Sequence, residues 1–471
     1  MEERVSDAEE AFERWRKRAG LVVGPLAASI ILLTGADSSQ RRLAAVMALI
    51  ASLWICESLP LAVTALIAAV AVVAGGVAPA KEAFAAFGNP ILFLFIGSFF
   101  LAEAMRLHGL GERFAHALAR IARGRLGVLM ALSISAFGIS LWISNVAATA
   151  ITLPIALSVA RAAGDRKLGA ALVLAIAYGA SVGGVGTPIG TPPNLIGIAA
   201  MRERAGIDIG FFQWMKVGLP LGTVMLVALW GVLAWKFDIR RGQPALAAPP
   251  PRRPWTQPER VVAFAFGLAV LLWLLPGIVG LVDDSSAGWF QKHLPEEIVA
   301  LGTAALLFLW PMPGKGRSVL TWSEATHIDW GTVILFGGGI LLGDLAGKTG
   351  LSRSWGEALV AATGAQSLWG ITALVTAVSI LLSEATSNTA TATLMVPLTI
   401  SIAQAAHVDP RIPALGATLG ASFGFMLPIS TGPNAMAYGT GQVKVREMAG
   451  AGVIFDILGY GIILAGLRLL A

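Results

Sequence analysis

Hydrophobic runs of roughly 15 to 25 residues, separated by short polar stretches, recur from one end of this chain to the other, near the ~20 residues a helix needs to cross a bilayer. The pattern predicts spanning helices over 20–36, 42–58, 60–78, 89–107, 168–200, 211–236, 258–282, 295–312, 328–346, 411–440 and 449–470. Two more apolar segments, 127–160 and 366–404, do not read as single spans. Each carries a Ser-Asn pair in its middle and is long enough for two short helices. A re-entrant hairpin fits that length; two ordinary spans per segment are the alternative. Non-helical backbone at membrane depth is tolerated where it lines a cavity. The expected fold class is an all-α polytopic membrane protein with about 11 transmembrane helices plus two re-entrant hairpins in an inverted repeat.

The repeat is legible in the residues. Ser144-Asn145-Val146 is followed by Gly179-Ala-Ser181-Val-Gly183 and by Gly190-Thr191-Pro192-Pro193-Asn194. Ser387-Asn388-Thr389 is followed by Gly420-Ala-Ser422-Phe-Gly424 and by Ser430-Thr431-Gly432-Pro433-Asn434. Three motifs in one order and spacing indicate a duplicated unit. The predicted organisation is a cytoplasmic amphipathic segment (1–20), then a first half (21–236) with hairpin 127–160 and broken helix 168–200. A proline-rich cytoplasmic linker (237–257) follows, then a second half (258–471) with hairpin 366–404 and broken helix 411–440.

Composition agrees with a bilayer as solvent. The 471 residues are 56% hydrophobic and 13% charged, about half the charge fraction of a soluble domain. With the N-terminus inside, about 23 of the 34 Lys and Arg fall in cytoplasmic loops, as the positive-inside rule expects. The net charge of +6 therefore needs no nucleic-acid partner. Arg41 and Arg42 lie on the opposite side. Five spans between the two Ser-Asn tips, an odd number, make the second hairpin enter from the other face. Met1 to Gly20 lacks a signal-peptide design. The single Cys56 excludes an intramolecular disulfide and a cysteine-based metal cluster.

A hairpin tip offers both signs of partial charge. The helix starting after Ser144-Asn145 exposes unpaired N–H groups and a positive dipole end, which suits an anion. The helix ending just before it exposes carbonyl oxygens, which suit a cation. Gly190-Thr191-Pro192-Pro193-Asn194 breaks a second helix, because proline cannot donate and glycine permits unusual dihedrals. A bland alternative is a kink with a satisfied Ser-Asn pair; two inverted copies favour the binding reading.

This constellation resembles the divalent anion:sodium symporter family, over nearly the whole chain. The resemblance implies sodium-coupled transport of dicarboxylates, citrate or sulfate in a bacterial inner membrane, by a homodimer. It implies one sodium set at Ser140, Ser144, Asn145 and Gly190, and another at Ser383, Thr386, Asn388 and Ser430. It places the anion against Ser144, Asn145, Val146, Thr191, Ser387, Asn388, Thr389, Thr431 and Gly432. Two of those positions depart from the family pattern: Val146 stands where threonine is usual, and Gly432 where proline is. The expected function is sodium-driven uptake of C4-dicarboxylates such as succinate, by alternating access. A sodium-independent exchanger and a proton-coupled or arsenite-type relative are the alternatives within transport.

Other signals point elsewhere. Gly179-Ala-Ser181-Val-Gly183 matches the G-x-S-x-G pattern of hydrolases, but it occurs twice and all five histidines fall in or beside loops. Close helix packing explains it better than an intramembrane serine hydrolase. Glu103 with Arg106, and Asp344 with Lys348, read as local ion pairs. Glu57 reads as a helix-end residue. Glu384, beside Ser383, reads either as a proton-coupling or cation-site carboxylate or as a capping residue.

Overall fold

The computed structural model describes residues 7–34, 38–239, 254–312, 316–363 and 367–471. The first half begins with α1 (Asp7–Leu33), α2 (Ser39–Ile55), α3 (Leu61–Ala74), α4 (Ala80–Ala85) and α5 (Pro90–Leu107). It continues with α6 (Leu110–Ile121), α7 (Gly124–Ser140), α8 (Asn145–Ala163), α9 (Arg166–Gly184), α10 (Pro192–Ala205) and α11 (Phe211–Lys236). The second half opens with α12 (Gln257–Val279), α13 (Asp284–His293) and α14 (Glu296–Leu309). A two-residue antiparallel pair follows, β1 (Pro311–Met312) and β2 (Arg317–Ser318). Then come α15 (Trp322–Ala325), α16 (Trp330–Lys348), α17 (Leu351–Thr363), α18 (Leu368–Ala385) and α19 (Asn388–Ala405). The chain ends with α20 (Arg411–Gly420), α21 (Gly432–Gly439) and α22 (Val445–Leu470).

Among the described residues, eight helices are long and apolar enough to cross a bilayer. Shorter apolar helices, such as α3 and α7, accompany them. The polar first segment is not a separate helix: α1 runs from Asp7 through Leu33 without interruption. The lone Gly20 between polar and apolar parts costs a helix only about 1 kcal/mol, too little to end it. Most of the proline-rich linker, 240–253, lies outside the described residues.

Two compact units divide the chain, and each draws on both halves. Unit 1 comprises 1–92, 195–208 and 329–423. Within it α1 lies along α2, α3 against α16, α18 against α20, and α17 against α19. Unit 2 comprises 93–194, 209–328 and 424–471. Here α9 is the central helix, buried along its whole length from Leu168 to Gly184, with α7, α8, α11 and α21 around it. Its Tyr178 is fully buried. The Tyr178 hydroxyl donates to the carbonyls of Phe425 (2.6 Å) and Met448 (3.2 Å), and the ring stacks on Phe455. A buried phenol needs such partners, so Tyr178 fixes the segment after Gly424 to α9. The chain passes from one unit to the other at 194/195, three residues into α10, and at 423/424, inside the break between α20 and α21.

Candidate functional site

The first tip lies in unit 2. α7 ends at Ser140, a short turn covers 141–144, and α8 begins at Asn145. Ser144 is the N-cap, its hydroxyl oxygen accepting from the Ala147 N–H at 3.2 Å. That bond satisfies one of the four donors a helix start leaves open; the remainder form the positive end foreseen above. The Ser140 hydroxyl donates to Asn145 Oδ1 at 2.8 Å.

The break between α9 and α10 packs onto this tip. A Cβ at Gly190 would sit 2.5 Å from the Gly184 carbonyl oxygen and 2.8 Å from that of Ser140. A Cβ at Gly184 would collide with Asn145 Oδ1 and lie 3.1 Å from Thr191 Cβ. Only glycine allows so close an approach. Ser140, Asn145, Gly184, Gly190 and Thr191 thus form one cluster of hydroxyl, amide and carbonyl oxygens. It holds no carboxylate, and its oxygen-only donors suit a hard monovalent cation better than a transition metal.

The second tip, in unit 1, repeats the geometry. Ser387 caps α19, accepting from the Ala390 N–H at 3.2 Å. The Ser383 hydroxyl donates to Asn388 Oδ1 at 2.8 Å and lies equally close to the Ala421 carbonyl. Those two oxygens converge on one donor position, as cation ligands would. Thr386 Oγ1 donates to the Leu382 carbonyl at 3.0 Å and stands 2.9 Å from Thr391 Oγ1. Thr389 is the second residue of α19, and Glu384 is buried nearby in sequence. Ser430, Thr431 and Gly432 belong to unit 2, where α21 packs on α8 and α9. Thr431 caps α21, its hydroxyl accepting from the Asn434 N–H at 3.2 Å.

That packing ties together the two departures from the family pattern. A Cβ at Gly432 would fall 2.5 Å from Val146 Cγ2. The branched Val146 and the bare Gly432 are therefore a complementary pair. Gly432→Pro is expected to destabilise the protein by about 1 kcal/mol, the low end of overpacking costs because Val146 is 47% exposed and can yield, read as a lowered Tm in detergent. Val146→Ala in the same chain is expected to recover most of it. A Gly432→Pro variant as stable as the parent would refute the pairing.

Two asparagines that the sequence reading quoted without a role hold the breaks in shape. Asn194 Nδ2 donates to the carbonyls of Gly184 (2.8 Å) and Thr187 (2.7 Å). Asn434 Nδ2 donates to those of Gly424 (2.9 Å) and Leu427 (3.0 Å). The partners lie at the same two offsets in both copies, and both side chains are fully buried. Each amide thus replaces backbone donors that the break removes. The duplicated Thr-x-Pro-Asn spacing was the available signal. Arg16 was also missed: Nη1 donates to the Ala385 carbonyl at 3.0 Å and Nη2 pairs with Glu57 at 2.8 Å. It caps the end of α18 three residues before Asn388, and Glu57 serves as its counterion.

Three other expectations resolve. Glu103 and Arg106 pair at 2.5 Å. Lys348 does not pair with Asp344; its Nζ reaches Glu82 at 2.5 Å, because packing within unit 1 supplies a better-placed carboxylate. Ser181 is fully buried and its hydroxyl returns to the Ala177 carbonyl of its own helix at 3.2 Å. A Cβ at Gly183 would collide with the Phe137 carbonyl, so the G-x-S-x-G pattern is a helix-packing seam.

Broken helices, capped hairpin tips and a multi-pass helical frame define a membrane transporter rather than an enzyme. A family model described as "Citrate transporter" (CitMHS) matches residues 51–420, and the chain belongs to this family of divalent anion:sodium symporters. A protein of Staphylococcus saprophyticus named sodium-dependent dicarboxylate transporter SdcS is 33% identical over 93% of this chain and 88% of its own length. The protein of the same name from Staphylococcus aureus is 31% identical over the same shares. Among solved structures, the Alcanivorax borkumensis YdaH transporter aligns with a TM-score of 0.54 at 12% identity, over 81% of this chain and 84% of that one. Neisseria gonorrhoeae MtrF aligns with a TM-score of 0.53 at the same identity. These two likenesses are of fold.

Proposed function

We propose that this protein is a sodium-coupled secondary transporter that takes up small divalent anions, C4-dicarboxylates such as succinate, across a bacterial inner membrane by alternating access. The observation that carries the reading is the twice-repeated tip, in which a serine hydroxyl holds the first asparagine of a capped helix at 2.8 Å. Ser140, Ser144, Asn145 and Gly190 hold one sodium ion. Ser383, Thr386 and Asn388, with Ser430, hold a second. The helix starts, with hydroxyls and amides of Ser144, Asn145, Thr191, Ser387, Asn388, Thr389 and Thr431, take up the carboxylates; Val146 and Gly432 contribute shape alone. Neutral donors suffice because helix N-termini already favour anions. The names of the Staphylococcus relatives support both sodium and dicarboxylate.

The deciding experiment is uptake into proteoliposomes of labelled succinate, citrate and sulfate, with and without an inward sodium gradient. Succinate accumulation that needs sodium is the expected result. Accumulation unaffected by sodium would favour an exchanger and sink the coupling. The hairpins are re-entrant and oppositely oriented, and the N-terminus is cytoplasmic. A cysteine probe at Arg161 should then react from the cytoplasm and one at Ala406 from outside; labelling of both from one side would overturn this topology. The protein works as a homodimer, which cross-linking in the membrane tests.

A further inference from the structure

A second chemistry-bearing place lies in unit 1, away from the tips in sequence. α10 and α19 each start at a candidate site segment, Thr191-Pro192 and Asn388, and run about 21 and 27 Å to ends that meet. There the Gln404 Nε2 donates to the Arg204 carbonyl at 3.2 Å. A cavity of about 380 Å³ opens at this junction, lined by Glu203, Arg204, Asp344, Lys348, Ser401 and Gln404 among others. It joins an apolar chamber of about 270 Å³ walled by Met47, Trp54, Trp355, Leu394 and Met395. Arg204, Gly343, Ser352 and Ser401 line both, forming the throat.

The polar end carries both signs. Arg204 Nη2 is shut off from solvent and has no hydrogen-bond partner among the described residues. Its guanidinium lies against bare Gly343, where a Cβ would collide with Nη2. Asp344 and Glu203 interact with it electrostatically. Glu203 also accepts from Asn89 Nδ2, and Lys348 is held by Glu82. A buried, unpaired guanidinium donor is costly unless an acceptor reaches it. A dianion would meet two carboxylates in the same space. A headgroup carrying one phosphate and one ammonium presents each sign to side chains of the opposite sign. Cavities of this size hold small ligands, and the apolar chamber accepts the first part of an acyl chain.

We propose that this two-part cavity binds a phosphoethanolamine lipid, its phosphate on Arg204 and Lys348, its ammonium toward Asp344 and Glu203, and one acyl chain in the chamber between Trp54 and Trp355. The lipid wedges the far ends of α10 and α19, the helices whose starts carry candidate site residues. The inference does not rest on the transport reading, and its test reads binding alone.

Detergent-purified protein, stripped of lipid, is incubated with mixed micelles of dioleoyl-phosphatidylethanolamine, -phosphatidylcholine or -phosphatidylglycerol, and retained lipid is counted by native mass spectrometry. The expected result is at least tenfold preference for the ethanolamine lipid, as a charge-assisted hydrogen bond to the ammonium is worth roughly 1.5–3 kcal/mol and choline cannot donate one. Arg204→Leu and Asp344→Asn should each remove that preference. Ser352→Phe, which keeps every charge but fills the throat, should remove retention altogether; circular dichroism confirms that the variants are folded. Equal retention by the parent and Ser352→Phe would overturn the proposal, as would equal or stronger binding of the choline or glycerol lipid.

Discussion

Asn145→Ala and Asn388→Ala should each abolish sodium-driven uptake while leaving a folded protein. Each amide oxygen is held at 2.8 Å by a serine from the preceding helix, so the side chain is aimed before any ligand arrives. In the proposed function the oxygen faces the cation and the amide N–H₂ faces the anion. Truncation removes both contacts together. A polar contact to a charged ligand is worth roughly 1.5–3 kcal/mol, or about ten- to a hundredfold each. Losing two contacts takes uptake below a hundredth of the parent rate. The fold loses one neutral hydrogen bond, about 1 kcal/mol, which shifts Tm only slightly. Gel filtration and thermal unfolding check the second half of the statement; uptake under a sodium gradient checks the first. Near-normal transport by either variant would remove these residues from the site.

Asn194→Ala and Asn434→Ala are expected to have the largest effects on stability. Each strips two hydrogen bonds from carbonyls, buried at Gly184, Thr187 and Gly424 and part-buried at Leu427. An unsatisfied buried acceptor costs about 1–3 kcal/mol, so each variant should lose roughly 2–5 kcal/mol. Asn194→Ala also loosens the segment that sets Gly190 against Ser140 and Thr191 beside Gly184. It should weaken sodium affinity well beyond what the lowered Tm explains. The Asn434 variant tests whether the second copy behaves alike. Unfolding midpoints within a degree of the parent would show that water replaces the amide and that the repeated bonds are incidental.

The helical membrane class was legible from local pattern alone. Apolar runs near bilayer length leave few other folds, since backbone polar groups must pair within the segment. The ends of α7, α9, α18 and α20 fall where Ser-Asn, Gly and Pro interrupt those runs, because such residues disfavour a helix whatever surrounds them. The helix starts beside the Ser-Asn pairs were readable for the same reason; that Ser144, Ser387 and Thr431 cap them, each accepting from an N–H three residues ahead, was not read from the sequence. The extent of α1 was not readable. Its polar-to-apolar change looked like a boundary, yet a single Gly20 is too weak an interruption to make one.

The sequence by itself determined what depends on neighbours a few residues apart: the apolar spans, the duplicated motifs and the breaks. Tertiary structure decided which distant residues meet. The chain changes compact unit in the first turn of α10 and again inside the second break, which no periodicity encodes. Val146 against Gly432, Arg16 on Ala385, Lys348 with Glu82 and the amides of Asn194 and Asn434 are choices of packing. A helix period fixes which face a side chain occupies, but the partner on that face follows from how helices remote in sequence stack. Once stacked, a buried donor or acceptor must take whatever group lies within reach.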